Sequence, residues 1–222
     1  AVQTPYRETP EKKRVSDMRF VESAAREVGS VIRPGGLCVL ESTSPPGSTR
    51  LVEQIVSEVS GLKPEEFMTA HCPERIIPGR MLRELRQNDR IIGSNRPEAA
   101  EYAKSIYEKV VTKGTIRLTD DLTAEMCKLT ENTFRDINIA YANELSKVCD
   151  RLGIDVFQLI ELANCHPRVN VHTPGVGVGG HCIAVDPWFI HEKFEDITPL
   201  IAEARHVNDT KPEWVVERIG RD

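Results

Sequence analysis

The chain has no cysteines spaced as C-x-x-C, no apolar run near the ~18 residues of a membrane span, and no basic cluster longer than Lys12-Lys13-Arg14. Each absence removes a class of function. With no basic stripe and a formal net charge of -5, nothing marks a nucleic-acid surface. With no apolar span, no membrane protein is expected. No secretory leader pattern is present, so the six scattered cysteines are expected as free thiols in a reducing cytoplasm. Three of them sit beside histidines, at His71-Cys72, Cys165-His166 and His181-Cys182. Adjacent residues of a strand point to opposite faces, and zinc-site spacing is missing, so no metal is expected. Internal repeats and low-complexity segments are absent too. The first residue is Ala1 and not Met, which reads as a piece of a longer protein.

What is present is the composition of a globular protein, 222 residues with 40% hydrophobic and 28% charged. The opening segment to Arg14 is polar and reads as loop. Asp17 is placed to cap a helix that "RPGG" stops. Short apolar runs of strand length follow at Leu37 to Thr43, "FMTAHCPE", "DRIIGS" and "GTIRLT". Between them lie helical patterns, "STRLVEQIVSEVS" closed by Gly61 and "PEAAEYAKSIYEKVV" opened by Pro97. Alternating strands and helices imply a parallel sheet covered on both faces. From Asp121 to about Leu152 a helical pattern runs with no Gly or Pro, and Gly153 ends it. At 1.5 Å per residue this helix is roughly 45 Å long, enough to bridge domains or build a subunit interface. Asp155 caps another helix, and "KPEWVVERIGRD" starts the last.

The stretch "PGVGVGGHCIAVDPWFI" poses the functional question. Gly175, Gly177 and Gly180 spell G-x-G-x-x-G, but no strand precedes them and no helix follows directly. The favoured reading is a collar that clears an approach to Cys182. Asp186-Pro187 reads as N-cap and first helical position, so Cys182 would sit ahead of a helix N-terminus, where a thiolate is favoured. A buried small hydrophobe is the plain alternative for Cys182. Lys128 and Asn132, four apart on one helix face, form a cation-amide pair able to hold an oxyanion, or an ordinary solvated face. Glu74 follows a strand end, where catalytic groups gather and where plain loop carboxylates also occur.

"ESTSPPGST", "CPERIIPG", "EMCKLTENTFRDINIAYANEL" and "GVGGHCIAVDP", in this order, resemble the nucleotide-sugar 6-dehydrogenases of the UDP-glucose/GDP-mannose dehydrogenase family. The resemblance covers nearly the whole chain. It implies a cytoplasmic enzyme that oxidises a sugar's C6 alcohol to a carboxylate with two NAD+, through a thiohemiacetal and a thioester on a cysteine. Cys182 matches that nucleophile, and Lys128 and Asn132 the alkoxide-stabilising pair. Asp186 matches the carboxylate that holds or activates a water, and Glu74 the general base of thioester hydrolysis. Thr43 matches a threonine contacting the cofactor or ordering that water, and Gly179 a cofactor contact. Arg75, Ile76, Ile77 and Gly177, with Lys128 and Asn132, match contacts to the nucleotide sugar. Arg168 matches an arginine reaching the neighbouring subunit's substrate, so a homodimer through the long helix is implied.

Two departures stand out. Pro78 replaces a second glutamate of the UDP-glucose enzymes, giving the form of the N-acetylhexosamine and GDP-mannose branches. The family's NAD-gripping glycine fingerprint is absent. The expected fold is α/β: a partial Rossmann-like doubly wound parallel sheet over 1–119, then an all-helical middle domain over 120–206, with 207–222 leading into a missing third domain.

Overall fold

The structure, a computed structural model, describes residues 1–11, 13–76 and 79–220. The chain forms two compact units, Ala1–Leu129 and Thr130–Asp222.

The first unit opens with an antiparallel hairpin of β1 (Tyr6–Glu8) and β2 (Arg14–Ser16), where a loop was expected. Then come α1 (Arg19–Val31), β3 (Leu37–Leu40), α2 (Ser48–Ser60), β4 (Met68–His71), α3 (Met81–Gln87), β5 (Arg90–Gly93), α4 (Pro97–Tyr107) and β6 (Ile116–Thr119). The strands lie in the order β3-β4-β5-β6. β3/β4 and β5/β6 are parallel, as expected of this α/β fold. The β4/β5 pair is antiparallel, held by one bridge, His71 to Gly93. An apolar run such as "RIIG" is buried on both faces and carries no sign of its direction, so this reversal was not legible in the sequence.

Successive strand residues point to opposite faces, and both faces of the sheet are covered. Leu40 joins Val21, Ala25, Val52, Ile55, Val56 and Phe67 on the side of α1 and α2. Leu37 and Val39 pack instead with Ala70, Cys72, Ile92, Ala100 and Ala103 on the side of α4. Fully burying one such aliphatic side chain contributes about 1.5–3 kcal/mol. Gly29 sets the approach of α1 to α2, because a Cβ there would lie 2.8 Å from the Val59 Cβ. Helix α2 stops at Gly61, whose φ of 72° is the left-handed cap that glycine adopts without strain.

Helix α5 (Asp121–Leu152) has the bounds its sequence implied. In the second unit it is followed by α6 (Val156–Ala163), α7 (Asp186–His191) and α8 (Pro199–Ile219). Asp155 caps α6 as expected, its Oδ1 accepting from the Phe157 N–H at 2.8 Å. Helix α8 begins at Pro199, well before the expected start near Lys211, and continues through Pro212.

One face of α5 in this unit is polar yet buried: Asn132, Asp136 and Asn143. Spacings of four and seven put all three on one side of a helix. Buried polar groups need partners, and each of the three residues finds at least one, although Asp136 Oδ2 has none among the described residues. Arg205 Nη1 donates to Asp136 Oδ1 at 2.5 Å, and Asn208 Nδ2 donates to the same oxygen at 2.8 Å. Asn143 Nδ2 donates to Asn208 Oδ1 at 2.8 Å, while its Oδ1 accepts from the Gly175 N–H at 3.0 Å. These bonds tie α5 to α8 and fix the start of the glycine loop.

Candidate active site

In the second unit the structure joins Asn132 to Asp186. The Asn132 Nδ2 donates to Asp186 Oδ2 at 2.5 Å, both residues being buried. This corrects the expectation that Asp186 caps α7: the N-cap position is Val185, and no side chain caps the helix. The Asp-Pro pair is a local signal, whereas Asn132 lies 54 residues away in sequence. A buried carboxylate turns to the strongest donor in reach. Cys182 is exposed in the turn just before α7, and its carbonyl accepts from the Val185 and Asp186 N–H groups, each at 2.9 Å. The sulfur therefore sits four residues ahead of a carboxylate anchored to α5. The helix is only six residues long, so its dipole is a weak source of thiolate stabilisation.

The glycines leading to Cys182 differ among themselves. A Cβ on Gly177 would meet the Pro212 Cγ at 2.9 Å, so this glycine admits a neighbour of its own chain. Gly180 has a φ of 90°, and a Cβ on Gly179 or Gly180 would meet open space. Open space at Gly179 and Gly180 fits the reading of a cleared approach; Gly177 has a second, internal reason. No strand precedes this loop and no helix directly follows Gly180, so it is not a dinucleotide fingerprint. Arg168 is exposed on the turn after α6, where its backbone N–H donates to His166 Nδ1 at 3.3 Å.

In the first unit, Glu74 lies three residues past β4, with its N–H donating to the Glu41 carbonyl at 3.3 Å. Its Oε1 accepts from the Arg75 N–H at 2.5 Å and from Arg90 Nη1 at 3.4 Å. The Arg75 Nη1 donates to the Asp89 carbonyl at 3.3 Å, and Asn88 Nδ2 donates to the Arg75 carbonyl at 3.0 Å. Ile76 is half-buried in the same loop. Ile77 lies outside the described residues, as does Pro78. Beneath the loop, Tyr107 donates its hydroxyl proton to the Glu41 carboxylate, and burial pushes the Cys72 thiol up to about 11. That sulfur is a structural thiol, not a second nucleophile.

Thr43 lies three residues past the C-terminal end of β3, half-buried, with its carbonyl accepting from Thr4 Oγ1 at 2.6 Å. Among the described residues its own hydroxyl makes no hydrogen bond, so it is available to a ligand there. The N-terminus of α2, just beyond, is the natural place to look for a phosphate cradle. It is taken: Glu125 Oε1 accepts from the Thr49 N–H at 2.7 Å and hydroxyl at 2.6 Å, and Oε2 from the Gly47 N–H at 2.5 Å. The α2 N-terminus is therefore not open to a dinucleotide phosphate, and the group available beside it is the Thr43 hydroxyl. Sequence reasoning missed Glu125 entirely; a glutamate seven residues ahead of Asn132 on the same helix was the only clue. Lys128, half-buried, lies one helical turn before Asn132, and among the described residues its ammonium has no ion-pair partner. No group of three His, Cys, Asp or Glu side chains among the described residues could hold a metal.

Comparison with known proteins places the chain as a whole in a family. Residues 1–111 match the NAD binding domain of the UDP-glucose/GDP-mannose dehydrogenase family, and residues 122–210 its central domain. The chain is 49% identical to the NDP-N-acetyl-D-galactosaminuronic acid dehydrogenase of Ralstonia nicotianae, over 99% of its own length and 52% of the relative's. It is 49% identical to the UDP-N-acetyl-D-mannosamine dehydrogenase of Yersinia pestis, over 99% of this chain and 53% of that one. A solved UDP-D-ManNAc dehydrogenase from Pyrococcus horikoshii superposes with a TM-score of 0.92 at 42% identity, covering 100% of this chain and 52% of the other. The chain spans about half the length of the curated relatives it matches.

Proposed function

The chain belongs to the UDP-glucose/GDP-mannose dehydrogenase family, and from that premise we propose that it carries the catalytic residues of an NAD-dependent nucleotide-sugar 6-dehydrogenase acting on UDP-N-acetyl-D-mannosamine. The product is the corresponding uronic acid, a building block of surface polysaccharide. The observation that carries this reading is the Asn132–Asp186 hydrogen bond. It links the amide of the proposed alkoxide-stabilising pair to the carboxylate that follows Cys182.

NAD+, when bound, accepts a hydride from C6 of the sugar in each of two oxidations. Thr43 and Gly179 are the residues of this chain that would hold it. Lys128 and Asn132 stabilise the alkoxide formed as the C6 hydroxyl gives its proton to water, and hydride loss gives the aldehyde. The Cys182 thiolate adds to the aldehyde carbon, forming a thiohemiacetal. A second hydride loss leaves a thioester. Water then adds to the thioester carbon and gives a proton to Glu74, the C–S bond breaks, and Cys182 departs as thiolate. Asp186 orients the reacting oxygen. Arg75, Ile76, Ile77 and Gly177 contact the nucleotide sugar.

The proposed assembly is a homodimer through α5, with Arg168 reaching the neighbouring subunit's substrate. Phe134, Tyr141 and Val148 support it: they recur every seven residues on α5 and are 61%, 53% and 51% exposed. The location proposed is the cytoplasm; no helix of the described residues is long and apolar enough to cross a membrane.

The test is the stoichiometry of NADH formed by the complete natural chain that carries this sequence. Two NADH per UDP-N-acetyl-D-mannosamine are expected, and one would contradict the thioester route. The Ralstonia relative makes an N-acetyl-D-galactosamine nucleotide the second reading of the substrate. UDP-N-acetylglucosamine and GDP-mannose complete the panel. Binding without turnover on every sugar would leave only an inactive nucleotide-sugar-binding dimerisation module.

A further inference from the structure

Arg90 is the first residue of β5, and it is 1% exposed. The one hydrogen bond of its side chain among the described residues is the 3.4 Å contact from Nη1 to Glu74 Oε1. Its Nε and Nη2, also sealed from solvent, have no hydrogen-bond partner there. A guanidinium is always charged, and burying one with a single long hydrogen bond opposes folding. An apolar side chain of similar volume would fill the same space at less cost. Packing therefore does not account for an arginine here, and among the described residues its one side-chain hydrogen bond points to Glu74.

The reversed direction of β5 explains how the contact arises. In a fully parallel sheet the start of β5 would lie at the far end from the β4 C-terminus. Because β4 and β5 are antiparallel, the register fixed by His71 and Gly93 brings Arg90 opposite Glu74 and Asp89 opposite Arg75. Three contacts follow from that register: Arg90 to Glu74, Arg75 to the Asp89 carbonyl, and Asn88 to the Arg75 carbonyl. Among the described residues the Glu74 side chain is tethered by Arg75 and Arg90, and it is 43% exposed. An exposed glutamate on a loop has many rotamers, and holding it in one geometry is worth rate.

We propose that Arg90 is a positioning residue for Glu74, and that Asn88 to Arg90 at the entry to β5 form a clamp that aims this carboxylate at the hydrolytic water. The inference rests on the reading of Glu74 as the general base of thioester hydrolysis. The clamp acts on the last step alone. Water gives its proton to the aimed carboxylate, adds to the acyl carbon, and releases the Cys182 thiolate; neither hydride transfer involves it.

The experiment uses the complete natural chain and follows rapid NADH formation alongside intact mass spectrometry of the enzyme. Arg90→Met is expected to fold with an undiminished melting temperature and to transfer the first hydride within twofold of wild type. Acid release is expected to slow by about 10-fold, with the acyl adduct accumulating on Cys182. Glu74→Gln should accumulate the same adduct, and adding Arg90→Met to it should slow release no further. If Glu74→Gln releases acid normally, the general-base reading fails. If Glu74→Gln stalls but Arg90→Met does not, or if their effects multiply, the clamp is overturned. Should Arg90→Met fail to fold, Asn88→Ala takes its place, with release expected to slow about threefold and wild-type release refuting the proposal.

Discussion

Thr49 gives Glu125 two hydrogen bonds, one from its N–H at 2.7 Å and one from its hydroxyl at 2.6 Å. With the Gly47 N–H on the other oxygen, the carboxylate satisfies the open end of α2 from outside that helix. Burial pushes the Glu125 carboxyl up, and these hydrogen bonds oppose the shift. Glu125→Ala should therefore destabilise the first unit by about 3 kcal/mol, since it strands buried donors. Denaturant unfolding measures this, and a loss below about 1 kcal/mol would show that water replaces the carboxylate freely.

His71 is fully buried at the end of β4, and burial lowers its pKa to about 4. A histidine depressed in the fold and near 6.5 when unfolded binds protons more readily in the unfolded chain. Its contribution is intact above pH ~6.5 and is lost as pH falls through the folded value. Unfolding free energy should drop by about 3 kcal/mol between pH 7 and pH 4 from this group alone. His71→Leu should flatten that part of the curve. A variant with the wild-type slope would assign the acid sensitivity to other groups.

Cys182 and Cys165 are the exposed thiols, whereas Cys72 and Cys149 are buried. Iodoacetamide should label both exposed cysteines, and saturating nucleotide sugar should protect Cys182 while sparing Cys165 no reaction. Peptide mass spectrometry resolves the two. Cys182→Ser should abolish acid formation, and Cys165→Ser should leave it unchanged. Acid formed at the wild-type rate by Cys182→Ser would end the covalent mechanism.

Gly177 and Gly179 make a paired test. A Cβ on Gly177 runs into the Pro212 ring, so Gly177→Ala should displace the loop and lower turnover by about 10-fold. Gly179→Ala meets open space and should fold normally. If Gly179 clears room for the nicotinamide, its alanine variant should raise KM for NAD+ with little loss of stability. Equal, stability-linked effects at the two positions would mean both glycines are structural.

Much of the fold was legible. The bounds of α5 follow from a run without Gly or Pro, and Gly61 and Gly153 mark helix ends by their left-handed backbone. The hairpin of β1 and β2 was not legible, because its strands are three residues long and lack apolar alternation. Helix α3 buries no residue, so no hydrophobic periodicity announces it. In the site, a cysteine among glycines and a Lys-x-x-x-Asn pair could be singled out by residue type and spacing. The partner of Asp186 could not, because it lies on α5, 54 residues away, and Arg90 as the partner of Glu74 could not, because that contact depends on the direction of β5.

The buried polar face of α5 gives the helix a keyed shape. Asn132, Asp136 and Asn143 engage α7, α8 and the loop before Cys182 like teeth on one side of a shaft. An α-helix turns about 100° per residue, so one residue inserted between Asp136 and Asn143 would swing the last tooth off Gly175 while the first two stayed engaged. Point substitutions along α5 are thus a milder injury than a change of its length, and evolutionary drift in this helix should proceed by replacement and not by insertion.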